Sequence, residues 1–183
     1  MKILYINAAV RENSRTKLLT DYLISCLEGD VTELVLEDTE IRALDKISLC
    51  QREALPENTI DIKYARQFAE ADIIVIAAPF WDYSFPALLK DYIERINVLG
   101  VTFYYENGFP VGCCKAKKLY YVSTSGGVFV PDYGYDYIKR LANDFYGIKD
   151  CSCIYAEKLD MPGYDAEEII RNAKKHIDLL FKS

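Results

Sequence analysis

The stretch IIVIAAPFWDYSFPALLKDYIERI, residues 73–96, decides the fold because its pattern changes at its centre. Its first six residues are all apolar, as in a strand buried on both faces, and Pro79 ends this run. From Pro86 onward the apolar residues recur at helical spacing. Proline suits the first turn of a helix, so we predict that a helix begins there. A buried strand that leads into a helix is the repeating unit of a parallel α/β sheet.

The same alternation of strand and helix patterns runs along the whole chain. We predict further strands over residues 2–7, 31–36, 119–123 and 148–156, and helices around residues 18–26, 59–69, 135–145 and after Asp165. This order predicts a three-layer α/β sandwich whose five-stranded parallel sheet follows the doubly wound order typified by flavodoxin. A chain of 183 residues suits a single domain, residues 1–183.

Two segments are predicted to interrupt this alternation. Residues 37–58 contain Pro56 and several acids, and we expect a surface connection with little regular structure. Residues 101–114 contain the turn signal Asn107-Gly108, which indicates a loop or a short hairpin.

Composition and charge exclude several classes of partner. The formal net charge is −6 and no block of Lys or Arg occurs, so neither nucleic acid nor an anionic membrane surface is an expected partner. The apolar runs are too short to span a membrane. Residues 1–7 resemble a buried strand rather than a signal peptide, so we expect a cytoplasmic protein.

The six cysteines are expected to be reduced thiols, as in most cytosolic proteins. No C-x-x-C pair occurs, and the one histidine, His176, lies far in sequence from both cysteine clusters. We therefore predict no metal site, because the spacing rules of zinc ligands are not met.

Ligands of doubly wound sheets bind beyond the carboxyl ends of the strands, so the loops after the first, third and fourth strands are candidates. The first loop, residues 8–16, precedes a predicted helix. A phosphate there would gain from free amide groups, from the Ser14 and Thr16 hydroxyls and from the charge of Arg11 or Arg15. Alternatively, Ser14 only caps the helix. No glycine-rich dinucleotide or triphosphate motif occurs, so a phosphomonoester suits this loop better than a pyrophosphate.

The second and third loops suit a flat ligand. Pro79 turns the chain away from the sheet, and consecutive aromatic residues in a turn cannot all point into the core, although core packing is the alternative. This loop contains Phe80, Trp81, Asp82 and Tyr83. The third loop offers small side chains and two glycines whose amides could approach a ligand, although a plain turn explains them equally well. It contains Thr124, Ser125, Gly126 and Gly127.

On these stretches and on GVTFYYENG, residues 100–108, the chain resembles the FMN-dependent NADH-azoreductases, relatives of DT-diaphorase among the flavodoxin-like NAD(P)H:quinone oxidoreductases. The resemblance covers nearly the whole length. It implies an enzyme in which NAD(P)H reduces FMN and FMN reduces a quinone, azo or similar aromatic acceptor. The protein itself supplies orientation and electrostatics, with no catalytic side chain. The resemblance also implies a homodimer with each flavin near the subunit interface.

The resemblance assigns roles to particular residues. Ser14, Arg15 and Thr16 would hold the FMN phosphate, and the residues from Pro79 to Tyr83 would line the ring and the ribityl chain. Thr124, Ser125, Gly126 and Gly127 would contact the polar edge of the ring, and Phe103 with its neighbours would help to roof the substrate pocket. Independently of the resemblance, Phe103, Phe129 and Tyr133 are candidates for stacking on the acceptor in that pocket, and buried packing is the alternative for each of them. Asp82 stands where the family usually has asparagine, and an ionised carboxylate close to the ring would lower the flavin potential.

Two alternative functions share this fold. A flavodoxin-type electron carrier would bind the same cofactor and is also acidic. We expect residues 100–114 to build a pocket wall that a carrier does not need. The second alternative is a sensor or scaffold protein that has lost its flavin.

Overall fold

A computed structural model describes residues 1–54, 57 and 59–181. Its main sheet has five parallel strands in the order β2-β1-β3-β6-β7, which confirms the predicted doubly wound fold. The strands are β1 (Lys2–Asn7), β2 (Asp30–Val35), β3 (Ile73–Ala77), β6 (Lys118–Thr124) and β7 (Asp150–Ala156), and a separate antiparallel hairpin is formed by β4 (Phe103–Glu106) and β5 (Phe109–Gly112).

The α-helices of the described residues are α1 (Arg15–Ser25), α2 (Lys46–Ala54), α3 (Ile60–Glu70), α4 (Ala87–Ile96), α5 (Tyr135–Leu141) and α6 (Ala166–Leu180). A 3-10 turn covers Leu36–Asp38. No helix in the described part of the chain is long and apolar enough to cross a membrane.

The sheet divides the buried core into two layers because successive strand residues point to opposite faces. In β1, Leu4 and Ile6 face the layer that contains residues of α3, α4 and α5, whereas Ile3 and Tyr5 face the layer of α1 and α6. Both faces are therefore covered. This explains why the central strands are continuously apolar rather than alternating.

The segment 37–58 differs from its prediction. Residues 55, 56 and 58 lie outside the described residues, but α2 occupies Lys46–Ala54, where we predicted little regular structure. The backbone N–H of Ser48 donates to the Asp45 carboxylate at 2.8 Å, and the Asp45 N–H donates to the Ser48 hydroxyl at 3.1 Å. This reciprocal capping starts the helix even though α2 has no continuous buried stripe.

Smaller differences occur at helix ends. Pro86 is the N-cap residue of α4 rather than part of its first turn. The predicted helix 135–145 is α-helical only to Leu141 and continues as a π-helical turn over Ala142–Tyr146. In α6 the predicted stripe includes the buried Ile177, but Leu180 is exposed.

The β4–β5 hairpin lies at the end of the sheet where the strands begin. The N–H of Lys115 donates to the carbonyl of Ala69 at 2.8 Å, and the N–H of Lys117 donates to the carbonyl of Asp72, just before β3. The aromatic loop 79–84 follows the other end of β3. Helix α4 runs back along the sheet and carries residues 100–114 to the end opposite the aromatic loop. The expectation that this segment forms a wall of the pocket is therefore wrong within one chain.

Candidate cofactor site

A cavity of about 400 Å³ lies at the carboxyl ends of the strands, where the sequence predicted three loops to converge. Each predicted loop contributes to it: Asn13, Ser14, Arg15 and Thr16 from the first, Pro79, Phe80 and Trp81 from the second, and Thr124, Ser125 and Gly126 from the third. The volume lies within the range of small-molecule sites in proteins. The convergence follows from the parallel sheet, in which β1, β3 and β6 are neighbours.

The first loop ends in the N-terminus of α1. The Ser14 hydroxyl accepts a hydrogen bond from the N–H of Lys17 at 3.2 Å, so the simple capping role does occur. In the described part of the chain, no protein acceptor lies within hydrogen-bonding distance of the amide N–H of Arg15 or Thr16. Both N–H groups belong to the first turn of a helix, where an anion is favoured.

The side chains of Arg15 and Thr16 already have protein partners. The Arg15 guanidinium donates to the Asp160 carboxylate at 2.7 Å, and the Thr16 hydroxyl lies 2.7 Å from the Thr124 hydroxyl. These two contacts tie the start of α1 to the loops after β7 and β6. The first loop is therefore held in place by side chains before any ligand contributes.

The aromatic loop forms a tight turn. Trp81 and Ser84 exchange two backbone hydrogen bonds of 3.1 and 2.8 Å, and between them Asp82 and Tyr83 both have positive φ, 50° and 66°. Two consecutive left-handed residues define a turn of type I′. The turn places Trp81 in the cavity wall, with the Arg11 guanidinium 5.8 Å from the centre of its ring, and leaves Asp82 exposed at the apex.

A fourth loop, residues 157–160, was missed by sequence reasoning. The N–H groups of Lys158, Leu159 and Asp160 donate to the carbonyls of Gly127, Ser125 and Gly126, at 2.8 to 3.2 Å. This loop clamps the glycine loop, and its residues Leu159 and Asp160 line the cavity. The position of the loop after the fifth strand was the available signal.

Gly126 packs closely against the fourth loop. A Cβ atom at Gly126 would lie 2.4 Å from a carboxylate oxygen of Asp160. In the described part of the chain, the amides of Gly126, Gly127 and Val128 have no protein acceptor, and they follow the Ser125 N–H, which donates to the carbonyl of Ala156. The glycine loop therefore presents free donors at one side of the cavity.

A second depression, which we name the side hollow, adjoins the cavity and measures about 410 Å³. It shares Phe80, Ser125 and Gly126 with the cavity and adds Asp82, Tyr83, Gly127, Val128 and Val130. Three predicted site residues, Asp82, Tyr83 and Gly127, thus lie beside the cavity rather than in it.

The three residues predicted for the substrate pocket are separated. Phe129 lies next to the site, with its ring 5.2 Å from that of Phe80 and stacked on Tyr155 at 4.8 Å. Tyr133 is 68% exposed and its carbonyl accepts from the Ser84 hydroxyl. Phe103 is buried in the β4–β5 hairpin against Phe145, at the opposite end of the sheet from the cavity.

Two buried cysteines, Cys114 and Cys153, have altered thiol chemistry. Desolvation by burial raises the pKa of Cys114 and of Cys153 to about 12, so both thiols stay protonated near neutral pH and neither is a ready nucleophile. Among the residues that the structure describes, no group of three or more His, Cys, Asp or Glu could hold a metal ion.

Comparison with known proteins agrees with this geometry. The model of the Flavodoxin_2 family, described as a flavodoxin-like fold, matches residues 1–180. An FMN-dependent NADH:quinone oxidoreductase of Coprothermobacter proteolyticus is 33% identical over 199 residues, which cover 99% of this chain and 98% of that protein. The chain belongs to this flavodoxin-like family of FMN-dependent NADH:quinone oxidoreductases. The family inferred from the sequence motifs is thereby confirmed.

Two further comparisons, one with a sequence relative and one with a solved structure, support the flavodoxin-like assignment. The FMN-dependent NADH:quinone oxidoreductase 2 of Clostridium acetobutylicum is 47% identical over 117 residues, 61% of this chain and 58% of that protein. The crystal structure of azoreductase from Bacillus anthracis str. Sterne has a TM-score of 0.85 and 24% identity, with 100% of both chains covered. At that identity the azoreductase shows that the fold is shared.

The cavity of this flavodoxin-like chain fits FMN. The free amides at the start of α1, beside the Ser14 hydroxyl, suit a phosphomonoester. The rings of Phe80 and Trp81 offer flat apolar surface for an aromatic system, and the free amides from Gly126 onward suit its polar edge.

Proposed function

We propose that this protein is an FMN-dependent NADH:quinone oxidoreductase whose whole chain acts as one FMN-binding domain. The observation that carries the proposal is the meeting of a free helix N-terminus, an aromatic wall and a glycine loop around one cavity of about 400 Å³. The names of the full-length relatives support it.

In this proposal the phosphate binds at the start of α1. The amides of Arg15 and Thr16 and the Ser14 hydroxyl would donate to it, and the helix dipole would favour its negative charge. Arg15 contributes a positive charge that Asp160 holds at the edge of the cavity. Thr16, through its contact with Thr124, would keep the first and third loops at a fixed distance.

The other loops would orient and shield the flat part of the cofactor. Pro79, Phe80 and Trp81 would exclude water from one side of the cavity, and the amides of Gly126 and Gly127 would donate hydrogen bonds at another. When bound, FMN would supply the redox chemistry, which is hydride transfer from NAD(P)H and two-electron reduction of a quinone, azo or similar aromatic acceptor. No side chain of the protein needs to act as nucleophile.

We also propose that the protein works as a homodimer. The β4–β5 hairpin exposes the apolar rings of Tyr105 and Phe109, which are 56% and 73% exposed. Exposed aromatic clusters are typical of interaction surfaces. In a dimer this hairpin, with Phe103 at its base, would complete the substrate pocket that Phe129 and Tyr133 begin.

A cytoplasmic location accords with this function. NAD(P)H is the proposed electron donor, and Cys50 and Cys113 are exposed free thiols, as is usual in reducing compartments.

The test is to purify the protein, add FMN and follow the flavin absorbance at about 450 nm. We expect stoichiometric FMN, weaker binding of riboflavin because it lacks the phosphate, rapid bleaching on mixing with NADH and recovery of the absorbance on adding a quinone. Bound FMN that NADH does not bleach would instead indicate a flavodoxin-type carrier. Absence of FMN binding would overturn the proposal. Light scattering in solution tests the dimer.

A further inference from the structure

Asp82 occupies an unusual position for a charged residue. It lies at the apex of the aromatic turn, exposed, with a positive φ of 50°. It lines the side hollow and also a shallower apolar depression of about 680 Å³ on the other side of the turn. The Asp82 carboxylate is therefore part of the wall of both depressions next to the aromatic turn.

The other charged side chains near the turn do not line the side hollow. The Arg11 guanidinium lies over the Trp81 ring in the wall of the main cavity. Lys90, in the shallower depression, forms an ion pair with Glu94. Asp160, which packs against Gly126, is paired with Arg15. Among the described residues that line the side hollow, Asp82 is the one charged side chain, and no ion pair neutralises it within the described chain.

The rest of the side hollow is apolar or small. Phe80, Val128 and Val130 supply aromatic and aliphatic surface, and Ser125 is the only hydroxyl besides that of Tyr83 among its described lining residues. Such a surface accepts a flat, uncharged ring. An anionic substituent would meet an uncompensated negative charge on entry.

We propose that Asp82 selects electron acceptors by charge, so that the side hollow takes neutral quinone-like aromatic molecules in preference to sulfonated or carboxylated ones. This inference rests on the proposed function, because it assumes that the acceptor binds beside FMN. At about 8 Å and an effective dielectric constant of about 40, one negative charge changes the affinity of a monoanion about fivefold.

The experiment compares two redox-inert ligands of one ring size, 2-naphthol and naphthalene-2-sulfonate, by calorimetric titration of the FMN-loaded protein. Asp82→Asn removes the charge and keeps a residue that tolerates positive φ. We expect the ratio of the two dissociation constants to shift about fivefold toward the sulfonate in the variant. We expect the same shift in kcat/KM for 1,4-naphthoquinone against its 2-sulfonate.

Three controls make the result specific. Asp82→Gly should reproduce the shift, since it removes the same charge without straining the turn. Glu28→Gln removes one exposed negative charge just beyond the far end of α1 and should leave the ratio unchanged. Raising the salt from about 0.02 to about 0.5 M should bring the unmodified protein toward the Asp82→Asn ratio.

An unchanged ratio in both Asp82 variants overturns the inference. If FMN binds and NADH reduces it while the ratio stays unchanged, only the role of Asp82 falls. If FMN does not bind, the proposed function fails as well.

Discussion

At the scale of single residues, two turns of the described chain each contain two consecutive residues with left-handed backbone. One is the aromatic turn, where Asp82 and Tyr83 both lack glycine's freedom. The other is the hairpin turn, where Asn107 and Gly108 have φ of 51° and 83°. The Asn-Gly pair is the preferred solution of a type I′ turn, whereas Asp-Tyr is a strained one. Backbone strain of this kind is typical of functional sites, and here it accompanies the placement of Trp81 in the cavity wall and of Asp82 at the apex of the turn.

The cost of left-handed backbone can be measured cleanly at Gly108. A Cβ atom there would meet nothing within 4 Å, so Gly108→Ala tests the conformation alone. We expect a loss of about 1 kcal/mol of unfolding free energy in urea titrations. Gly127→Ala is the matched control, because Gly127 also has open space but no positive φ, and its stability should not fall. Equal losses in the two variants would contradict this reading.

Gly126 tests the clamp between the third and fourth loops. Gly126→Ala would press a methyl group onto the Asp160 carboxylate and displace the Arg15 contact. We expect FMN affinity, measured by quenching of flavin fluorescence, to fall about tenfold. The loss should be smaller when Gly126→Ala is introduced into an Asp160→Ala background, since the clash is then gone. Additive losses in the double variant would show that Asp160 is not the cause.

At the scale of elements, the N-termini of α1 and α6 are both capped by a side chain, but only that of α1 lies at the cavity. Ser14 caps α1 and lines the cavity, whereas Asp165 caps α6 by accepting from the N–H groups of Glu167 and Glu168, and it does not line the cavity. Ser14→Ala and Asp165→Ala should each cost about 1 kcal/mol of unfolding free energy. Only Ser14→Ala should also weaken FMN binding. A loss of FMN affinity in both would mean that the effect is one of stability.

The elements that sequence could predict are those with a strong apolar period. β1, β3 and β6 are buried along their length, and their boundaries fell within one or two residues of the predictions. Helix α2 was missed because its apolar residues Ile47 and Leu49 are exposed, so no buried stripe marks it. Arg52 of α2 instead pairs with the buried Asp61 at 3.4 Å, and Asp61 also pairs with Arg95 of α4. A helix held by ion pairs of this kind shows no apolar periodicity in its sequence.

At the scale of the whole molecule, burial links stability to alkaline pH. The pKa of Cys114 and of Cys153 rises from 9.0 to about 12 on folding, because desolvation disfavours the thiolate. Above about pH 9 the unfolded chain loses these protons while the folded chain keeps them. The unfolding free energy should therefore fall by about 1.4 kcal/mol per pH unit for each thiol, up to about pH 12. Urea titrations between pH 8 and pH 11 measure this slope.

A double variant tests these two thiols. Cys114→Ala with Cys153→Ala should reduce the slope above about pH 9 without removing it, because burial also raises the pKa of Cys151. Above about pH 10 buried tyrosines such as Tyr92 and Tyr121 add to the loss, since burial raises their pKa as well. Cys50→Ala, at an exposed position, should keep the original slope. A profile that stays flat to pH 11 in the unmodified protein would refute the linkage.

The site as a whole was only partly accessible from sequence. Topology predicted that three loops meet, and they do. Sequence could not show that Arg15 contacts Asp160, because 145 residues separate them and a single surface carboxylate carries no pattern. Nor could it show which end of the sheet the hairpin occupies, since that depends on where α4 ends. Predictions from local pattern therefore reached the loops but not the contacts between them.

Trp81 is the only tryptophan of the chain, and it stands in the wall of the cavity with a guanidinium over its ring. Its indole emission therefore comes from one place in the fold. A molecule that enters the cavity would change the surroundings of that ring, and a yellow chromophore there would absorb the emitted light. The protein thus carries an intrinsic optical probe of occupancy that needs no label.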